Sequence, residues 1–319
     1  METLTGLRNA IIYFSDIEHC REFMVELRWP DGKVQCPRCK SEHVLWIAKE
    51  RVWKCYGKHD HAKFSLKTGT IFEDSPIPLE KWLPAAWLII NCKNGISSYE
   101  VSRDLGVTQK SAWFMMHRVR LAMQSGTFEK LSGEVEADET FIGGKARNMH
   151  ASKKVGKGYR HRGIINKTIV MGMLERGGKV RTQVLQDREQ ETLHSQIRAC
   201  IEEGTSLYTD EWRPYTGLSE DYVHQVINHA EKYVDGRVHT NGMENFWSLL
   251  KRSLTGTYVS VEPFHLFRYL DEQSFRFNER KSTDAERFVK VMKQIVGRRL
   301  TFDQLTGKAD KPQLQMRPQ

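Results

Sequence analysis

The sequence predicts an α/β protein in which a mixed strand-and-helix core follows a small cysteine-bearing β module and a pair of helices. Three observations predict it. Cysteines and histidines cluster between residues 36 and 61, helical periodicity broken by turn residues fills 76 to 123, and short β-runs alternate with amphipathic helices from residue 133 onward. With 319 residues the chain can hold two or three domains and at least one sizeable core. The expected divisions are 1–75 for an N-terminal segment and metal module, 76–127 for a helical region that includes a helix-turn-helix candidate, 128–300 for the α/β core and 301–319 for a polar, loose tail.

Charge narrows the partners. Lys and Arg outnumber Asp and Glu by 49 to 40, a net charge of +9, which favours polyanions such as nucleic acid. No apolar run approaches the roughly 20 residues that span a bilayer. The opening METLTGLRNAIIYFSD has no basic cluster ahead of an apolar run, so it does not read as a signal peptide, and a cytoplasmic protein without membrane contact is expected. Six cysteines are too few for a secreted disulfide scaffold.

The first module is defined by metal spacing. CPRC at residues 36 to 39 offers two thiolates, Cys36 and Cys39, to one tetrahedral ion, and Cys55 arrives 16 residues later, followed by His59 and His61. Between the halves, HVLWIAKERVWKC alternates and is rich in Val, Ile and Trp, which predicts a β-hairpin that brings the two knuckles together. The pattern reads as a zinc ribbon holding structural Zn2+ on Cys36, Cys39, Cys55 and a histidine. His59 makes C-x3-H and His61 C-x5-H; the tighter knuckle favours His59. Cys20, Cys92 and Cys200 have no partner at metal spacing and read as small buried hydrophobes.

Past the ribbon, Pro78 and Pro84 fit the entry to a helix through WLPAAWLIINCK, stopped by Asn94 and Gly95. ISSYEVSRDLG reads as a second, short helix with Ser97 or Ser98 as cap, Glu100 as capping-box partner and Gly106 at its end. VTQKSAWFMMHRVRLAM starts from Thr108 and carries Lys110, His117, Arg118 and Arg120. Helix, Gly-containing turn and basic helix make a helix-turn-helix candidate with Lys110 and Arg118 as DNA contacts; periodicity alone equally allows an ordinary αα-hairpin.

In the core, GEVEADETFIGG gives a strand, and IINKTIVMGMLERGGKVRTQVL gives two more around a turn at residues 175 to 178. DREQETLHSQIRACIEEG is helical, SLYTDEW is a short buried strand ending in acid, DYVHQVIN is another strand, and HTNGMENFWSLLKR is helix. Three strands, helix, strand, connection, strand, helix is the order of a ribonuclease-H-like α/β domain. It places Asp138 on the first strand, Asp210 at the end of the fourth and Glu244 on the late helix. On that helix Asn241, Glu244, Ser248 and Lys251 share one face, while Phe246, Trp247 and Leu250 anchor the core.

Three carboxylates supply the oxygen ligands that hard divalent ions such as Mg2+ or Mn2+ take, and a pair of such ions suits in-line displacement at phosphorus. Lys251, two turns past Glu244, can reach a phosphate. Of the nearby acids, Glu136 shares a strand face with Asp138, and Glu139 points the opposite way. Residues 145 to 163, KARNMHASKKVGKGYRHRG, hold many cations and no acid and cannot form a core. Beside a phosphoryl-transfer site they read as an arm tracking a DNA backbone, with Lys153, Lys154, Lys157 and Arg160 as contacts.

CPRC, FSLKTGTIFEDSPIPLEKW, NGISSYEVSRDLGVTQKSAWFMMHRVR, VEADETFIGGK, YTDEWRPY and HTNGMENFWSLLKRSLTGTY followed by RYLDEQSFRFNER together resemble bacterial insertion-sequence transposases of the broad group related to eukaryotic Merlin elements. The resemblance runs from about residue 15 to 280 with the motifs in family order. It implies that Asp138, Asp210 and Glu244 are the DDE metal-binding triad and that Lys251 is the basic residue seven positions on. Some members carry Asn in place of the last acid, and Asn241 stands one helical turn before Glu244. The implied function is to bind the element's terminal inverted repeats, cleave double-stranded DNA and join its 3′ ends to target DNA with Mg2+ or Mn2+. The implied setting is a homodimer or larger on the DNA, associated with the nucleoid. The rival expectations are a metal-dependent nuclease that cuts without joining and a transposase-derived DNA-binding regulator with a dead core.

Overall fold

The computed structural model of the chain describes residues 4–124, 129–144, 167–227 and 239–308. The chain forms two compact units, Met1–Ser125 with Lys281–Pro318, and Gly126–Arg280.

The first unit begins with two helices, α1 (Leu7–Phe14) and α2 (Ile17–Arg28). Asp16 caps α2 by accepting the Glu18 backbone N–H at 2.7 Å. The expected hairpin follows as β1 (Val44–Ile47) and β2 (Val52–Cys55), and a short β3 (Lys63–Phe64) adds to β2 in an antiparallel sheet. Trp53 holds it together, with ring centroids at 4.3 Å from Trp46, 5.8 Å from Phe64 and 5.9 Å from Trp29.

Three helices come next: α3 (Leu79–Asn91), α4 (Ser98–Leu105) and α5 (Gln109–Met123). Pro78 caps α3 as expected, but Pro84 lies inside the helix rather than at its entry. The backbone bond lost there is tolerated because residues 82 to 90 are buried on nearly every side. Ser97 is the cap of α4. Both halves of its capping box form, at 2.8 and 3.2 Å. Gly106, at φ 57°, ends α4, and Thr108 caps α5.

The stretch 281–300, expected to belong to the core, returns instead to this first unit as α9 (Asp284–Lys293). Its Phe288 ring lies 5.5 Å from Phe14, 5.6 Å from Phe23 and 5.1 Å from Trp87, so the apolar face of α9 finds its partners on α1, α2 and α3. The tail is likewise not wholly loose. α10 (Phe302–Thr306) has a Thr301–Gln304 capping box and buries Leu305.

In the second unit the strands and helices appear in the expected order. β4 (Glu134–Ile142), β5 (Thr168–Glu175) and β6 (Val180–Leu185) form an antiparallel meander, and β7 (Ser206–Asp210) and β8 (Val223–Ile227) extend it in parallel from β4, giving the order β6-β5-β4-β7-β8. The hairpin turn carries Gly177 at φ 75°. One face of the sheet buries Val135, Ala137, Met171 and Met173 against Leu193 and Ile197 of α6 (Gln190–Cys200). The other buries Val170, Leu174 and Val180 against Met243, Phe246, Trp247 and Leu250 of α7 (Asn241–Arg252) and Leu266 and Leu270 of α8 (Leu266–Asn278). Alternate residues of β4 therefore face different helices. Among the described residues no helix is long and apolar enough to cross a membrane.

Candidate active site and metal centre

β4 and β7 pair in parallel at Glu134↔Ser206, Val135↔Leu207 and Glu136↔Tyr208, and no pair follows. Carrying that register two residues further sets Asp138, in the middle of β4, opposite Asp210, the last residue of β7, just past the point where the two strands stop pairing. Residues in register on neighbouring strands share a face. For Asp138 it is the α7 face, because the Trp247 indole N–H donates to its Oδ2 at 2.9 Å. Burial, followed by the Asp210 carboxylate, pushes the Asp138 carboxyl up to about 6; the Trp247 and Glu139 N–H groups pull it down, and Glu244 adds a further push. Asp138 thus feels the charge of both other acids, although among the described residues the one group gathered tightly enough to hold an ion as it stands is the cysteine and histidine set of the first unit. The oxygens of the three acids suit a hard divalent ion, which would relieve that repulsion.

The start of α7, and with it Glu244, is fixed by a network around Glu136. Its side chain is 1% exposed and accepts the Met243 backbone N–H at 3.0 Å and Arg176 Nε at 2.9 Å, with His239 Nδ1 3.3 Å away. A carboxylate at a helix N-terminus is favoured by the helix dipole. Arg176 comes from the β5–β6 turn, donates to the His239 carbonyl at 2.8 Å and lies 4.0 Å over the Tyr208 ring. Glu136, which shares the strand face of Asp138, is therefore committed to holding α7. Neither its capping role nor Arg176 was visible in the sequence, since both depend on long-range pairing.

Trp247 reaches Asp138 because residue 172, paired with Asp138 across β4–β5, is glycine. A Cβ there would collide with Met243 Cε and stand 2.6 Å from the Trp247 ring. Gly172→Ala should therefore destabilise the second unit by about 1–3 kcal/mol through overpacking, read as a lower urea midpoint at unchanged slope. An unaltered midpoint would mean that the ring can move aside freely.

Glu139 lies on the other side of β4, as period two requires. Tyr215 donates its hydroxyl to Glu139 Oε1, and Arg188 lies 3.7 Å from Oε2 while stacking 3.5 Å over Trp212. Burial pushes Glu139 up to about 7 against the opposing pull of Tyr215 and Arg188, with Asp210 and Asp138 adding to the rise. Glu211 is exposed.

On α7 the polar stripe is open to solvent. Asn241, Glu244, Ser248 and Lys251 are exposed, while Phe246, Trp247 and Leu250 are buried. The proposed DNA contacts fare unequally. Lys110 is exposed at the N-terminal turn of α5 with its ammonium 4.8 Å over the Phe302 ring. Arg118 is 4% exposed and donates to the carbonyls of Ile71, Glu73 and Leu300 at 2.9, 2.7 and 3.1 Å, so it ties the first unit together and offers nothing to DNA. His117 and Arg120 of the same helix are buried as well. Lys153, Lys154, Lys157 and Arg160 lie outside the described residues.

In the ribbon, the ligand atoms of Cys36, Cys39, Cys55 and His59 all lie within 4.8 Å of one another. Cys36 Sγ to His59 Nε2 and Cys39 Sγ to Cys55 Sγ are both 3.5 Å. Tetrahedral zinc with bonds of ~2.3 Å spaces its sulfurs by ~3.8 Å, so the set fits. His59 Nδ1 lies 2.6 Å from the Asp60 carbonyl, which orients the ring with Nε2 inward. His61 is not in the cluster; its backbone turns away at φ 58° and its carbonyl accepts from Arg38. Gly57 allows the second knuckle to close: its N–H donates to Cys55 Sγ at 3.2 Å, and a Cβ would stand 2.8 Å from Cys39 Sγ.

Comparison with known proteins adds the following. Residues 130–278 match the ISXO2-like transposase domain, and residues 15–57 match the transposase zinc-ribbon domain. An uncharacterized protein in transposable element ISH50 of Halobacterium salinarum is 30% identical over 245 residues, 73% of this chain and 81% of that protein. An uncharacterized transposase-like protein of Haemophilus influenzae is 30% identical over 119 residues, 37% of this chain and 94% of that protein.

Proposed function

The chain belongs to the insertion-sequence transposases with an N-terminal zinc ribbon, and from that premise we propose that its second unit is a ribonuclease-H-like DDE core that cuts double-stranded DNA at the element's ends and joins the 3′ ends to target DNA. The register that sets Asp138 opposite Asp210 where the β4–β7 pairing stops, with the Glu244 charge reaching Asp138, carries this reading. The sheet order and its antiparallel-then-parallel pattern support the fold assignment. Asp138, Asp210 and Glu244 would hold Mg2+ or Mn2+, which when bound supplies activation of a water or 3′-hydroxyl and neutralisation of the leaving oxygen. Trp247 fixes the Asp138 carboxylate, Glu136 and Arg176 fix the helix that bears Glu244, and Lys251 takes a backbone phosphate further along the same stripe.

DNA recognition falls to the first unit. The zinc ribbon, stabilised by Zn2+ on Cys36, Cys39, Cys55 and His59, and the α4–α5 pair acting as a helix-turn-helix would bind the terminal repeats. Contact is limited to the exposed N-terminal turn of α5, around Lys110, which is where recognition helices read base edges. The basic residues Lys153, Lys154, Lys157 and Arg160 would add sequence-independent grip, and pairing two ends calls for at least two copies of the chain.

The test uses duplexes bearing the DNA that flanks the coding region. Wild-type protein with Mg2+ or Mn2+ should cleave them at one defined position and give strand-transfer products on a plasmid. Glu244→Gln should still bind but cleave slower by orders of magnitude, whereas Asn241→Ala should be milder, because a neutral amide is a poorer ligand for a hard cation. Normal cleavage by Glu244→Gln together with a dead Asn241→Ala would move the third ligand one turn back. Cleavage without joining would leave a nuclease, and binding without either reaction a regulator.

A further inference from the structure

Past Arg252 the polypeptide does something unusual for a surface loop. A π-helical turn at Ser253–Thr257 ends α7, and Tyr258 is then pinned: its hydroxyl donates to the buried Glu272 on α8, and its ring packs edge-on against Tyr269 at 4.8 Å. Immediately beyond this anchor Val259 stands at φ 60°, in the left-handed region that a β-branched residue rarely enters, with 77% of its surface exposed. Such strain persists only where the surroundings dictate it, and here the Tyr258 anchor does so. Phe264 is 51% exposed and Phe267 36%. They lie three residues apart on the helical run that starts at Pro263, so both project to one side.

The charges beside these apolar groups point to one kind of partner. Lys251 and Arg252 are exposed at the end of α7, and Arg268 lies 4.8 Å over the Phe267 ring. From residue 248 to 268 the single acid is Glu262. The exposed stripe of α7 runs from Glu244 through Ser248 and Lys251 to Thr255, a continuous track from the three acids to the loop. A backbone laid on that track would meet cations first and then apolar and aromatic tips, the combination that grips phosphates and stacks on bases.

We propose that the Val259–Phe267 loop is a wedge that enters the base stack of the DNA end held at the acids and unstacks a base pair there. The proposal rests on the transposase reading of the same unit. Strain at Val259 keeps the apolar tip rigid and pointed outward, so that no ordering cost is left for the moment of binding.

The experiment measures affinity of the full chain, carrying Asp210→Asn to prevent cleavage, for short labelled duplexes by fluorescence anisotropy. One set is intact, and in the other a single abasic nucleotide is moved stepwise inward from the end. Because an abasic site removes the unstacking cost in advance, one position should bind tighter by roughly tenfold or more. Adding Phe264→Ala, or separately Val259→Gly, should abolish that preference, so that the abasic duplexes bind no tighter than the intact one. Val259→Gly also relieves the left-handed strain, so its melting temperature should not fall, which separates loss of the wedge from loss of the fold. Tight binding with no preferred position, or a preference unchanged in both variants, overturns the wedge alone. Absence of any DNA binding overturns the transposase reading and the wedge with it.

Discussion

Asp210→Asn should reduce cleavage of element-end DNA by orders of magnitude, leave DNA binding in place, and flatten the pH dependence of stability of the metal-free protein. The last effect follows from the neighbour it silences. Asp138 has its carboxyl raised to about 6, first by burial and next by Asp210. A carboxylate whose folded value is raised is costly when ionised, so the cost is absent below its ordinary value of 3.8 and fully present above about 6. Metal-free wild type should therefore lose stability as pH rises across that window. In Asp210→Asn part of that loss disappears, a difference on the order of a few degrees in melting temperature at neutral pH that closes on acidification. Mg2+ should raise the melting temperature of wild type and do little for the variant. Thermal melts across pH with and without Mg2+ decide it; identical pH profiles would mean that the two carboxylates do not interact.

Cys36→Ser should release zinc and unfold the ribbon, because structural zinc contributes on the order of 10 kcal/mol to a module with few other sources of stability. The aromatic packing around Trp53 is too small to hold three short strands by itself. The α/β unit has hydrophobic cores of its own on both faces of its sheet, so its melting transition should survive. Elemental analysis should give one zinc per wild-type chain and a clear deficit in the variant; unchanged zinc would sink the ligand assignment. Gly57→Ala should give a milder deficit, since its Cβ would crowd Cys39 and Cys55 Sγ.

What the sequence disclosed was whatever is encoded over short spans. Cys36, Cys39, Cys55 and His59 lie at metal spacing, Ser97 and Glu100 at capping-box spacing, and NGMENFWSLLKR alternates its faces over the helix the structure shows at Asn241–Arg252. Even the convergence of Asp138 with Asp210 was implicit in strand order. Long-range partners were not. Arg118 looks like any basic residue on a candidate recognition helix until three carbonyls from distant segments surround it. Gly172 and Gly57 carry no local signal, because the atoms that need their missing side chains come from Trp247 and from two cysteines. Phe288 and its helix show an apolar stripe without naming the surface it covers.

The position of Phe288 also bears on the order in which the protein can be made. Its partners Phe14, Phe23 and Trp87 leave the ribosome long before it does, and the whole α/β unit is synthesised in between. One fold is thus nested inside another: the inner one is complete when Arg280 emerges, the outer one only after α9 follows. A nascent chain would carry a complete α/β unit before the aromatic core of its N-terminal unit could close. A stop codon just after Arg280 would then spare the inner fold and leave the unit made first without its last wall.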